Sequence, residues 1–111
     1  MSDELLSVGV LDRGADVVIT VAGELDFGTT AAFQQAVAPP AEAGRTLILD
    51  LAELVFCDSS GLGALVRLHK LTEKAGGRLS LARLRPQIET SIKLTMLHRL
   101  LHIVPDVPAQ A

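Results

Sequence analysis

The run Leu47-Ile48-Leu49-Asp50-Leu51 most limits what this chain can fold into. Its apolar character is almost unbroken, whereas a strand with one face in water alternates apolar and polar residues. The run therefore predicts a strand buried on both faces, at the centre of a sheet. A chain of 111 residues, 49% of them hydrophobic, can build such a core. We expect one domain over residues 1–111, with flexible ends at about 1–4 and 105–111.

An alternation of strand and helix patterns surrounds this run. Leu5–Leu11 and Asp16–Ala22 are β-rich and are separated by turn residues, which predicts an opening hairpin. Further strands are expected at Arg78–Leu84 and His102–Val104. The pattern predicts an α/β fold: a small mixed β-sheet with an antiparallel hairpin, parallel pairs and packed α-helices.

Helical spacing occurs three times. The predicted helices are one from about Thr29 that Pro39-Pro40 stops, one from about Gly61 to Ala75 that Gly76-Gly77 ends, and one from Pro86 through Thr95 and Met96. In the second helix the pattern places an apolar face toward the core, formed by Ala64, Leu65, Leu68, Leu71 and Ala75.

The segment from Val55 to Gly63 joins a predicted strand to a predicted helix through an acid, two hydroxyls and two glycines. Asp58, Ser59 or Ser60 can act as the helix N-cap. The unpaired N–H groups that follow tolerate an anion, including a phosphate. Helix capping, with glycines for tight packing, explains the same residues, so the motif alone leaves both interpretations open.

Charge and composition argue against several partners. The net charge is −3 and the only aromatic residues are three phenylalanines, which disfavours nucleic-acid binding. An apolar run of about 18 residues is absent, as is a basic leader, so we expect no membrane association. A lone cysteine, Cys57, fits a reducing compartment, and we expect a cytoplasmic protein.

The sequence motifs give little support for a catalytic or metal-binding role. His98 and His102 are four residues apart, but no nearby acid or His-Glu-x-x-His pattern accompanies them, so we expect no metal site. Cys57 has no base placed near it and is expected to be a small buried residue at a strand end. A serine hydrolase using Ser59 or Ser60 is a lesser alternative, because Gly-x-Ser-x-Gly is missing. Nucleotide-binding glycine motifs are also missing, so we expect a non-enzyme without a cofactor.

Two motifs together resemble a known family. Gly23-Glu24-Leu25-Asp26, followed later by Asp58-Ser59-Ser60-Gly61-Leu62-Gly63, is similar to the anti-sigma factor antagonists of the STAS domain family. The resemblance extends over nearly the whole chain, including a late helix that runs into Leu100-Leu101-His102-Ile103. Cys57, where a larger apolar residue is common, and the Pro39-Pro40 break are mild departures.

The resemblance implies a partner switch. Such proteins bind an anti-sigma factor that is also a serine kinase, which frees the sigma factor, and phosphorylation reverses the binding. It implies that Ser59 is the phosphoacceptor, that a phosphatase resets it, and that the protein is a monomer or weak dimer. The implied partner-binding residues are Glu24, Asp26, Asp58, Ser60, Gly61, Leu62 and Gly63. An accessory subunit of a membrane transporter, or a signalling scaffold, is the alternative within the same fold.

Overall fold

The secondary structure follows the predicted alternation. The computed structural model describes residues 5–110, so the flexible start expected at 1–4 lies outside the described residues. The strands are β1 (Leu6–Asp12), β2 (Val17–Leu25), β3 (Thr46–Asp50), β4 (Leu54–Cys57), β5 (Arg78–Ala82) and β6 (His102–Val104). The helices are α1 (Thr30–Glu42), α2 (Ser59–Lys74) and α3 (Pro86–Leu94), with a 3₁₀ turn at Leu97–Arg99.

The strands form one mixed sheet in the order β1-β2-β3-β5-β6, and β4 pairs with β2 alongside this path. The β1–β2 hairpin is antiparallel, whereas the other pairs are parallel. The predicted mixed α/β sheet is therefore confirmed. Because β4 pairs with the last residues of β2, with Leu25 opposite Cys57, the carboxyl ends of these two strands lie side by side.

β3 is buried on both of its faces, as the sequence predicted. Leu47 and Leu49 belong to the larger core, which also contains the α1 and α2 residues Phe33 and Leu65. Ile48 belongs to a second, smaller cluster on the opposite face, formed with Val18 and Ala82 and covered by Val104 and Val107. The sheet is thus covered unequally, by helices on one face and by the end of the chain on the other.

The segment after β6 lies against this second face. Val107 packs on the small cluster, and the Pro108 carbonyl accepts a hydrogen bond from Arg13 Nη2 at 2.9 Å. Gln110 Nε2 donates to the Arg13 carbonyl, also at 2.9 Å. These contacts join residues 107, 108 and 110 to the fold, and the flexible end expected from about residue 105 stays a prediction.

The prediction that Pro39-Pro40 stops the first helix is wrong, because both prolines lie inside α1. A proline lacks its own N–H but keeps its carbonyl as an acceptor. The Pro39 carbonyl accepts from the Ala43 N–H at 3.1 Å, and that of Pro40 accepts from the Arg45 N–H at 3.3 Å. Burial of Ala41 in the core holds this last turn in place, and the helix ends at Glu42.

The boundaries around β5 and α3 differ from the predicted ones for a local reason. Arg83 has a φ of 60°, in the left-handed region, which ends β5 at Ala82 rather than at Leu84. Met96 has a φ of 63°, so α3 ends at Leu94 and does not run on through Thr95 and Met96 or into residues 100–103. The predicted last strand at His102–Val104 is present as β6.

α2 is longer at its start than predicted. It begins at Ser59 rather than at Gly61 and ends at Lys74. Ala75 is the exposed C-cap residue and does not belong to the buried face, whereas Thr72, one turn earlier, is fully buried. Ala64, Leu65 and Leu68 are buried as predicted, and Leu71 is half-buried.

Candidate functional site

Asp58 is the residue that caps α2. Its backbone is extended, and its Oδ1 accepts a hydrogen bond from the Gly61 N–H at 2.9 Å. Its carbonyl accepts from the Leu62 N–H, also at 2.9 Å. The structure thereby selects one of the three N-cap candidates. Ser59 and Ser60 become the first two helical residues, with Ser59 exposed and Ser60 half-buried.

The two glycines after the serines differ in whether a Cβ atom would fit at their position. A Cβ at Gly61 would collide with the Leu25 carbonyl and lie 2.7 Å from Cys57 Sγ, so the first turn of α2 sits directly on the ends of β2 and β4. Leu62 is 7% exposed and packs into the core. A Cβ at Gly63 would meet only Arg67 Nη1, at 3.4 Å. Gly61 and Leu62 thus have a packing role, and their direct contact with a partner stays a prediction.

The loop after β2 is closed by its own hydrogen bonds. Asp26 Oδ1 accepts from the Gly28 N–H at 2.9 Å. Thr29 Oγ1 accepts from the Asp26 N–H at 2.9 Å and donates to the Glu24 carbonyl at 3.0 Å. This role of Thr29 was not predicted, although a threonine at the expected helix start was the available signal. The loop therefore reaches α1 in one defined shape.

The structure brings the two sequence motifs together. The Asp58 N–H donates to the Leu25 carbonyl at 3.3 Å, and Leu25 precedes the closed loop. Glu24 and Asp26 consequently share one edge of the sheet with Asp58 and Ser59. In the sequence these residues fall in two separate segments, and the β2–β4 pairing brings the two segments side by side.

This edge of the sheet is acidic. Segments 23–30 and 53–63 contain acids but no lysine, arginine or histidine. Among the residues that the structure describes, Arg85 lies 4.0 Å from Glu53, whereas no ion pair involves Glu24, Asp26 or Asp58. The exposed Ser59 thus belongs to a pair of segments that carries acids and supplies no cation of its own.

Cys57 is a half-buried free thiol at the end of β4. Burial, and secondarily the charge of Asp58, raise the pKa of this thiol to about 12. The group is therefore protonated at neutral pH and is a poor nucleophile. This agrees with the predicted role of a small packing residue at a strand end.

His98 and His102 lie in different elements. His98 belongs to the 3₁₀ turn and His102 to β6, where its Nδ1 lies 3.2 Å from Ser80 Oγ. Within residues 5–110, no three His, Cys, Asp or Glu side chains are grouped so that they could hold a metal ion. No helix in that range has the length and apolar character needed to cross a membrane.

The chain belongs to the STAS domain family, whose model matches residues 9–109. It is 30% identical over 98 residues to the anti-sigma-B factor antagonist of Bacillus subtilis (strain 168), covering 88% of this chain and 90% of that protein. An anti-sigma factor antagonist from Mycobacterium paratuberculosis has a similar crystal structure, with a TM-score of 0.83 and 26% identity over 96% of this chain and 92% of that one.

A second kind of relative carries the same fold. The murine anion transporter of Solute Carrier family 26, in its inward-facing state, matches with a TM-score of 0.73 and 25% identity. The match covers 87% of this chain but 17% of the transporter chain. This fold therefore occurs both in an anti-sigma factor antagonist and in part of a membrane transporter.

Proposed function

We propose that this protein is an anti-sigma factor antagonist that binds an anti-sigma factor with serine kinase activity and thereby releases the sigma factor. Binding requires unphosphorylated Ser59. The observation that carries the proposal is the exposed Ser59 hydroxyl, which directly follows the N-cap Asp58 on the acidic edge. The similarity to the Bacillus subtilis antagonist supports the class of partner.

Phosphorylation of Ser59 is the proposed off-switch. The Ser59 oxygen forms a bond to the γ-phosphorus of ATP as the bond to the β-phosphate breaks, ADP leaves, and the kinase accepts the hydroxyl proton. The ATP belongs to the kinase, so this chain needs no cofactor. The phosphate adds roughly −1.5 to −2 charges at the start of α2. There the helix N–H groups and dipole stabilise it by about 0.3–1 kcal/mol, so the fold survives.

Charge at the interface explains why the modified protein is released. Glu24, Asp26 and Asp58 already require a partner surface with basic or donor groups, spaced for a neutral serine. A dianion needs desolvation and space that such an interface does not provide. A penalty of about 3 kcal/mol weakens binding more than a hundredfold. The switch is therefore local, and a phosphatase that removes the phosphate resets it.

We infer a non-enzymatic role in the cytoplasm, as a monomer or weak dimer. The two segments that form the site contain no histidine or lysine to activate Ser59, and the Cys57 thiol is held protonated. A serine hydrolase would instead turn over an activated ester and lose that turnover in Ser59→Ala. Absence of turnover in the wild-type protein is the expected result.

The test combines phosphate mapping with a binding measurement. Incubation with the cognate kinase and ATP should add one phosphate to Ser59, and the product should release the kinase while keeping its native circular dichroism. Ser59→Ala should bind without release, Ser59→Glu should bind poorly, and Ser60→Ala is the matched control that should still switch. Phosphate on Ser60, or a Ser59→Ala protein that still cycles with ATP, contradicts the assignment of Ser59. Full-strength binding by the phosphorylated form contradicts the switch.

An accessory role in a membrane transporter is the second candidate, favoured by the structural similarity to the murine anion transporter. That role does not require an exposed serine at the start of α2. Co-purification with a transporter from solubilised membranes, unchanged in Ser59→Ala and Ser59→Glu, would favour it over the phosphorylation switch.

A further inference from the structure

Two of the three aromatic side chains lie outside the core, beside the Ser59 site. Phe33 is fully buried, whereas Phe27 is 84% exposed and Phe56 is 48% exposed. A phenylalanine in water forgoes the large stabilisation that burial of its ring provides. Within residues 5–110 the packing leaves most of Phe27 and about half of Phe56 uncovered, so the fold does not account for this exposure.

Both rings are attached to elements that also hold the site. Phe27 lies between Asp26 and Gly28 in the hydrogen-bonded loop after β2. Phe56 lies in β4, opposite Glu24 in the strand register and three residues before Ser59. Within the described part of the chain, β4 pairs with β2 alone, and its Val55 is also 46% exposed. The loop and the open strand edge therefore present apolar groups next to the proposed phosphoacceptor.

The surroundings of these apolar groups indicate the kind of surface that covers them. Glu24, Asp26 and Asp58 lie in the same two segments and have no cationic partner within residues 5–110. An occupant must therefore combine an apolar pocket with basic groups around it. Other exposed apolar side chains lie elsewhere: Leu5, Val10 and Leu11 in or beside β1, and Leu94, Met96 and Leu100 after β5. The acid of β1, Asp12, is paired with Arg45, and the segment from Leu94 to Leu100 contains His98 and Arg99, so neither region shares this unpaired acidic character.

We infer that Phe27 and Phe56 form an anchor surface for the kinase partner, which contributes an apolar pocket rimmed by arginine or lysine. This inference rests on the proposed function and assigns two separate roles at the interface, affinity and control of binding. The aromatic anchors contribute affinity, because buried aromatic groups dominate many interfaces. Ser59, at the edge of the same surface, determines by its phosphorylation state whether the anchors can engage.

The experiment compares two anchor variants with a control variant, of which Phe27 and the control residue Leu94 are matched for exposure. Phe27→Ala and Phe56→Ala remove anchors, and Leu94→Ala removes a side chain that is 80% exposed at the end of α3. α3 crosses from the carboxyl end of β5 toward the start of β6, so Leu94 lies at the opposite edge of the sheet from Ser59. Because Phe27 and Leu94 are almost fully exposed, both variants should keep the wild-type melting temperature.

The expected result is that Phe27→Ala and Phe56→Ala, both unphosphorylated, each bind the kinase about tenfold more weakly than wild type, while Leu94→Ala changes binding less than about twofold. Wild-type binding should weaken at high salt, and the ratio of wild-type to Phe27→Ala affinity should stay the same there.

If wild type binds the kinase and both phenylalanine variants bind it as tightly as wild type does, the anchor is refuted and the proposed function stands. If wild type binds no kinase, both the anchor surface and the proposed function are refuted. Self-association lost in Phe27→Ala, with kinase binding unchanged, would assign the surface to a second copy of the chain and refute the inference.

Discussion

Gly61 lies directly against the carbonyl group of Leu25, leaving no room for a methyl group between α2 and the end of β2. A Cβ at position 61 would also approach Cys57 Sγ to 2.7 Å. Since the obstructing oxygen belongs to backbone, the helix would have to move. We expect Gly61→Ala to lower the free energy of unfolding by about 1–3 kcal/mol in urea denaturation.

Gly63→Ala is the matched control for that substitution. Its Cβ would meet only the flexible Arg67 side chain, at 3.4 Å, within the same helix. Alanine is a better helix former than glycine, so stability should rise by about 0.5–1 kcal/mol. An equal loss of stability in both variants would show that the contact with Leu25 is not the cause.

Asp58 should contribute to stability through its cap and to binding through its charge. Asp58→Ala leaves the Gly61 N–H without its acceptor and should cost about 1 kcal/mol of unfolding free energy. Asp58→Asn keeps an Oδ1 acceptor and should remain close to wild type in stability, although it lacks the negative charge. Equal melting temperatures for the two variants would contradict the capping role.

Asp26→Asn should weaken capture of the kinase while leaving the melting temperature nearly unchanged. The substituted asparagine side chain would still offer an Oδ1 to the Gly28 N–H, so the turn survives and only the charge is lost. Asp26→Ala should lower the melting temperature as well, because that acceptor is gone. A sharp drop in the melting temperature of Asp26→Asn would mean that the carboxylate is structural and would remove the support for its place in the interface.

Cys57 should resist alkylation in the folded protein. The pKa of its thiol is raised to about 12 by burial and by Asp58, and the folded state therefore holds roughly a thousandfold less thiolate at pH 8 than an unfolded chain. Labelling with iodoacetamide, followed by mass spectrometry, should be slow in buffer and fast in urea. Above about pH 9 the unfolded thiol ionises first, so the contribution of this group to stability falls as the pH rises toward 12. Rapid labelling of native protein at pH 8 would contradict this environment.

Local chemistry placed the start of α2 within two residues of its position, because an N-cap acid followed by a glycine-rich turn acts over a short stretch. Asp58 was one of three N-cap candidates, and it performs that role in the structure. The end of α1 was not predictable in the same way, because the burial of Ala41 outweighs the two prolines before it. The pairing of β4 with β2 is a long-range contact, which local patterns do not encode. The loop that holds Phe27 is closed by a hydrogen bond from Thr29 to the Glu24 carbonyl, which the sequence did not predict.

The contact between Gln110 and Arg13 bears on how binding to this protein should be measured. Arg13 lies in the turn before β2, whereas Ser59 lies beyond the other end of that nine-residue strand. At about 3.3 Å per residue, the two ends are about 26 Å apart. A biotin or surface tether attached after Gln110 would therefore point the acidic edge away from the sensor, and a kinase could reach Ser59, Phe27 and Phe56 on immobilised protein.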